Sequence, residues 1–101
     1  MVFIYTTCKN NDEAKSLGTM IIKEKLGACV DFWPIQSYYN WEGELKCVDQ
    51  IMLCITTFEN KSEDVNELIS QNHSYSVPMI ATTDVRRINR AYKEWMTGEF
   101  E

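Results

Sequence analysis

Sixteen residues, Ala28 to Gly43, read ACVDFWPIQSYYNWEG and hold two of the three tryptophans, two of the five tyrosines and one of the two prolines of a 101-residue chain. The pattern is that of an extended segment ending in a turn at Glu42-Gly43, followed by a second extended run from Leu45 to Phe58. The two are expected to form a hairpin. At about 3.3 Å per residue, a strand from Ala28 to Trp41 would reach roughly 45 Å, more than twice the usual length. A domain of this size cannot cover such a strand. Either the segment bends, or a second copy of the chain covers the overhang. Pro34 favours a bend, because it donates no ladder hydrogen bond and the apolar positions change parity across it, from Val30 and Phe32 to Ile35, Tyr39 and Trp41. The outer half then needs a partner.

A chain of 101 residues is expected to be a single domain over 1–101, large enough for a core yet small enough to gain from association. Lysine plus arginine number 10 against 15 aspartate plus glutamate, a formal net charge of −5, which disfavours non-specific nucleic-acid binding and permits a cation partner. No apolar run reaches the length of a membrane span, and MVFIYTTCK lacks the basic region and cleavage site of a signal peptide. The expected compartment is the cytoplasm, or an organelle interior where a leader has been removed. Cys8, Cys29, Cys47 and Cys54 show no CxxC spacing, which argues against a zinc ribbon or a thioredoxin-type motif. Cys54, between Leu53 and Ile55, reads as a packed core thiol.

In chain order, Val2–Thr7 is a continuous apolar run of the kind buried on both faces of a sheet. Asn10 with Glu13 offers an N-cap, and Asp12 and Glu13 put negative charge in the first helical turn. Ala14, Leu17 and Ile21, with Ile22 one face over, supply the helical stripe, and Gly27 a stop. In the hairpin's second strand, Ile51, Leu53 and Ile55 alternate with Met52, Cys54 and Phe58, so neither face reads as wet. Asn60 with Glu63 repeats the capping pattern before a helix carrying Val65, Leu68 and Ile69 and ending near Gln71. NHSYSVP, residues 72–78, is a polar turn into a fourth strand, Met79–Val85. Ile88, Tyr92, Trp95 and Met96 mark a short closing helix.

The order β-α-β-β-α-β-α is α+β, a ferredoxin-like split β-α-β unit with an extra C-terminal helix and an antiparallel sheet of order 4-1-3-2. Both main helices then lie on one face and leave the other bare. One buried tryptophan covers about 150–250 Å², worth about 4–6 kcal/mol before entropy. Another subunit is the simplest cover for Trp33 and Trp41. The same topology brings Cys8, at the exit of strand 1, near His73, just before strand 4; a thiolate with an imidazole suits Cu or Zn. Cys29 falls at the other end of the sheet, where it is expected to be partly covered by helix 1.

Four segments spread along the chain, DEAKSLGTMIIKEKLGACV (12–30), YNWEG (39–43), HSYSVP (73–78) and AYKEW (91–95), resemble the CutA divalent-cation tolerance proteins. The resemblance implies a tight homotrimer of ferredoxin-like domains with hairpins wrapping their neighbours. It also implies a link to divalent cations, copper (Cu2+) especially, through metal ligands at the positions of Cys8 and His73, and no established catalytic activity. Departures from the family pattern are Ser74 for a proline, Ser76 and Met79 where carboxylates are common, Asn72 for a histidine, and Glu44 for a lysine. The first group removes two hard ligands from the neighbourhood of His73.

An acylphosphatase would need a glycine-rich phosphate loop with an arginine, and Arg86, Arg87 and Arg90 cluster instead before the last helix. An RNA-recognition module would need basic charge. The alternative to a cation-tolerance role is a small-molecule sensor comparable to the trimeric PII signalling proteins, with those arginines lining an anion pocket, or an assembly scaffold.

Overall fold

Alternating burial along Val2–Cys8 marks a strand whose even residues face a core, and this strand, β1, is the second-last of four in the sheet. The computed structural model describes Met1–Glu101, and its further elements are α1 (Asn11–Lys23), β2 (Cys29–Trp41), β3 (Glu44–Thr57), a 3-10 turn (Glu59–Lys61), α2 (Ser62–Asn72), β4 (Ala81–Asp84) and α3 (Arg90–Glu99). All pairings are antiparallel and the order is β2-β3-β1-β4, the expected ferredoxin-like sheet read from its other edge.

Asn10 caps α1 as expected, its Oδ1 accepting from the Glu13 amide at 2.9 Å. The stripe Ala14, Leu17, Gly18 and Ile21 is buried, while Ile22 is exposed. Gly27 is not the helix stop. The helix ends earlier in a Schellman pair, Leu26 N to Ile21 O at 3.0 Å and Lys25 N to Ile22 O at 3.1 Å, with Lys25 taking the left-handed position at φ 57. Gly27 answers to packing instead, since a Cβ there would lie 2.8 Å from the Cγ2 atoms of Ile21 and Ile55.

The cap expected at Asn60 is also corrected. Lys61 N donates to Phe58 O at 3.0 Å, closing a 3-10 turn, and α2 starts at Ser62 without a side-chain cap. Tertiary contacts override the local motif: Phe58 packs edge-on against Phe100 at 5.6 Å, and the Lys61 ammonium sits 4.7 Å over the same ring. β4 is shorter than the expected Met79–Val85. It pairs with β1 only from Ala81↔Tyr5 to Asp84↔Val2, and further along β1 the Thr7 carbonyl is taken by the His73 ring.

Even positions of β1 and β2 and odd positions of β3 face α1 and α2. Val2, Ile4, Cys8, Ile51, Leu53 and Ile55 join Leu17, Ile21, Val65 and Ile69 in one core. The opposite face carries Phe3, Tyr5, Trp33, Met52 and Cys54. Cys29 is on this second face, so α1 does not cover it, contrary to expectation; the Tyr92 hydroxyl of α3 lies against it instead. No bulge interrupts the ladder at Pro34, since the register runs unbroken from Cys29↔Thr56 to Trp41↔Glu44. The proline is tolerated because β2 is an edge strand. The parity change has another cause. Up to Phe32 the apolar side chains face the helices, and from Trp33 outward they face the bare side.

β1 pairs with β3 only as far as Ile51, so residues 35–50 project as a two-stranded ribbon. Its tip is a two-residue turn with Glu42 at φ 52 and Gly43 at φ 81, both left-handed, as a type I′ hairpin requires. Tyr38, Trp41 and Leu45 are 68%, 60% and 66% exposed.

Candidate functional site

The end of the sheet from which the ribbon departs gathers the chain's only histidine, a buried thiol and a carboxylate. β1 delivers Cys8 into the core, the capped first turn of α1 delivers Glu13, and the end of α2 delivers His73. One donor atom from each lies within 4.8 Å of the others. Topology brings Cys8 and His73 together as expected. Glu13 is the member that local reading missed: its spacing from Asn10 suggests a capping box, whose glutamate would turn back to the Asn10 amide. Its carboxylate instead spans two segments, Oε1 accepting from Lys9 N at 2.9 Å and Oε2 from Ser74 N at 2.8 Å.

The polar atoms of the cluster are already engaged. Tyr75 N donates to His73 Nδ1 at 3.0 Å, which puts the ring proton on Nε2, and Nε2 donates to the Thr7 carbonyl at 2.9 Å. His73 Nδ1 and Glu13 Oε2 stand 3.9 Å apart, beyond hydrogen-bond range. The His73 side chain is fully enclosed and that of Glu13 is 8% exposed. The Tyr75 hydroxyl donates to Gln50 Oε1 at 2.9 Å, at the root of the ribbon. Residues 73–75 are thus tied to β1 by His73 and Thr7, to β3 by Tyr75 and Gln50, and to the start of α1 by Ser74 and Glu13.

Burial pushes the Cys8 thiol up to about 12, and the nearby Glu13 carboxylate adds to the rise. Burial acts upward on the Glu13 carboxyl too, but the hydrogen bonds from Ser74 and Lys9 outweigh it and leave this group below the ordinary range. The donor types, sulfur, imidazole nitrogen and carboxylate oxygen, suit a soft or borderline divalent cation. The resting arrangement opposes one, because a cation at Cys8 and His73 has to displace the Tyr75 amide from Nδ1, or the Thr7 carbonyl from Nε2, and take the place of a thiol proton. Ser76 and Met79 are exposed and add no carboxylate.

The arginines do not gather into a pocket with this cluster: Arg86 and Arg87 are exposed, and Arg90 pairs with Glu94 at 2.8 Å on the surface of α3.

A four-stranded ferredoxin-like sheet with an outsized β2-β3 ribbon and a Cys-Glu-His node at its root defines a class of small α+β proteins built to associate. The model of the CutA1 divalent ion tolerance protein family matches residues 2–99, and the chain belongs to that family. A divalent-cation tolerance protein CutA from Archaeoglobus fulgidus is 29% identical over 99 residues, covering 98% of this chain and 97% of the relative. The rice protein CutA 1, chloroplastic, is 35% identical over 96 residues, 94% of this chain but 54% of its own length, so the chain spans about half of that relative. The solved structure of the Archaeoglobus protein, there called periplasmic, superposes with a TM-score of 0.95 at 28% identity over the whole of both chains. The family description names no reaction.

Proposed function

We propose that the chain acts as a non-enzymatic homotrimer of the divalent ion tolerance class, binding copper or another divalent cation weakly at Cys8 and His73, with Glu13 as third donor. The observation that carries the cation reading is the convergence of sulfur, nitrogen and oxygen donors within 4.8 Å. Weakness follows from the same geometry, since binding competes with the amide on Nδ1 and with a thiol proton held to about pH 12. The relatives' name, divalent-cation tolerance protein, agrees in kind. No helix is long and apolar enough to cross a membrane. A cytoplasmic setting is the reading we keep for this chain, while the relatives include proteins named chloroplastic and periplasmic.

Calorimetric titration with Cu2+ tests the site. Wild type is expected to bind with proton release, seen as a heat that changes with the buffer's ionisation enthalpy, and Cys8→Ser and His73→Ala are expected to abolish that signal. Isotherms indistinguishable among the three proteins would remove the cation reading and leave a scaffold role.

A further inference from the structure

A second cluster of metal-ligating groups stands on the other face of the sheet, at the end away from Cys8. Register pairs Asp31 with Cys54 directly and Cys29 with Thr56, so Cys29, Asp31 and Cys54 share one face of β2 and β3. The Cys29 thiol points at Asp31 Oδ2 at 3.8 Å. Two phenols complete the surround. The Tyr92 hydroxyl of α3 lies against Cys29, and the Tyr5 hydroxyl of β1 lies against Cys54. In the single chain Asp31 is exposed and Cys29 half-buried, while Cys54 forms the floor of the cluster.

Every group here is an acid. No lysine or arginine makes a salt bridge or hydrogen bond to Cys29, Asp31, Cys54, Tyr5 or Tyr92; the lysine and arginine side chains that are paired lie on Glu44, Glu94 and the Glu101 carbonyl. A structural ion-pair network would include a basic partner. A bound cation would turn these neighbouring acids into ligands. Both cysteines are free thiols. Their positions are diagonal neighbours in the ladder, about 7–8 Å apart at Cα and somewhat less at Cβ. That is too far for a disulfide, which needs Cβ atoms about 3.5–4.5 Å apart, yet within the span of two thiolates on one ion at about 2.3 Å each.

We propose that Cys29, Cys54 and Asp31 form a second cation site, selective for a thiophilic divalent ion of the Zn2+ or Cd2+ kind, with Tyr92 closing it from α3. The sulfurs converge by side-chain rotation, with the ladder kept. Binding exchanges the two thiol protons for the metal, with no change of oxidation state. The site is independent of Cys8 and His73, whose donors lie on the opposite face and at the opposite end of the sheet.

Titration with Cd2+, followed through the ultraviolet thiolate-to-cadmium charge-transfer band in a Cys47→Ser background, tests the proposal. The band is expected to survive Cys8→Ser and His73→Ala, and, in the Cys8→Ser protein, to vanish when Cys29→Ser or Cys54→Ser is added. Asp31→Asn, an exposed change that leaves the fold alone, is expected to weaken Cd2+ binding by about 10- to 100-fold, the range seen even for lost support around a metal. A band of undiminished amplitude in the Cys29→Ser/Cys54→Ser double variant, or one that disappears with Cys8→Ser, overturns the second site. The latter result would leave the first site standing.

Discussion

Glu13 carries more of the local architecture than any other polar residue in the Cys8 cluster. Its two oxygens hold the Lys9 and Ser74 amides, and so fasten the start of α1 to the segment that follows α2. Hydrogen bonds to a charged acceptor contribute about 1.5–3 kcal/mol each, so Glu13→Gln, which keeps one carbonyl acceptor, is expected to cost about that much. The pH dependence has a definite sign. The carboxyl is held below its ordinary range in the folded chain. Its contribution is therefore fully present above the unfolded value near 4.3 and fades as pH falls through the lower folded value. Urea unfolding between pH 3 and pH 7 checks this: wild type should lose stability on acidification, and Glu13→Gln should lose measurably less. Cys8 and His73 were legible as neighbours because topology alone places the exit of β1 beside the entry to β4. Glu13 was not, because its spacing from Asn10 also satisfies a purely local capping motif, and nothing local distinguishes a side chain that turns back from one that reaches 61 residues along the chain.

At the scale of elements, the ribbon is the part whose stability the chain does not supply by itself. A two-stranded hairpin without a covered face is marginal in water, and Tyr38, Trp41 and Leu45 leave both of its faces largely wet. Only its root is fastened, where Tyr75 meets Gln50. Hydrogen exchange should therefore divide β3 in two. Amides of Ile51–Thr57, flanked by β1 and β2, are expected to stay protected at every concentration, whereas those of residues 44–50 should be protected only in the assembled protein and exchange fast on dilution. Uniform protection along β3 in a monomer would contradict this division. The element order, the hairpin and its turn were legible because hydrophobic periodicity and the Glu42-Gly43 pair are local signals. Three boundaries were not. Gly27 looked like a helix stop but is set by the side chains of Ile21 and Ile55. Asn60 looked like a cap but yields to the Phe58-Phe100 contact. Pro34 looked like a break in the pairing but sits on an edge strand whose ladder runs through it.

At the scale of the molecule, one chain has the dimensions of a part. Its extents are 47 × 25 × 21 Å and its radius of gyration is 14.5 Å, against about 13 Å for a compact chain of this length. Its accessible surface is 6710 Å², where a folded monomer of this mass averages about 5,900 Å². The excess lies where the ribbon projects and where the second face of the sheet shows Trp33 to solvent. In the homotrimer proposed above, each ribbon would lie on the next subunit and both regions would be covered. Light scattering at low micromolar concentration tests it most directly. Wild type should scatter as three times the 11.8 kDa chain, and Trp33→Ser/Trp41→Ser should shift it toward the monomer. A wild-type monomer that remains folded at that concentration would contradict the account.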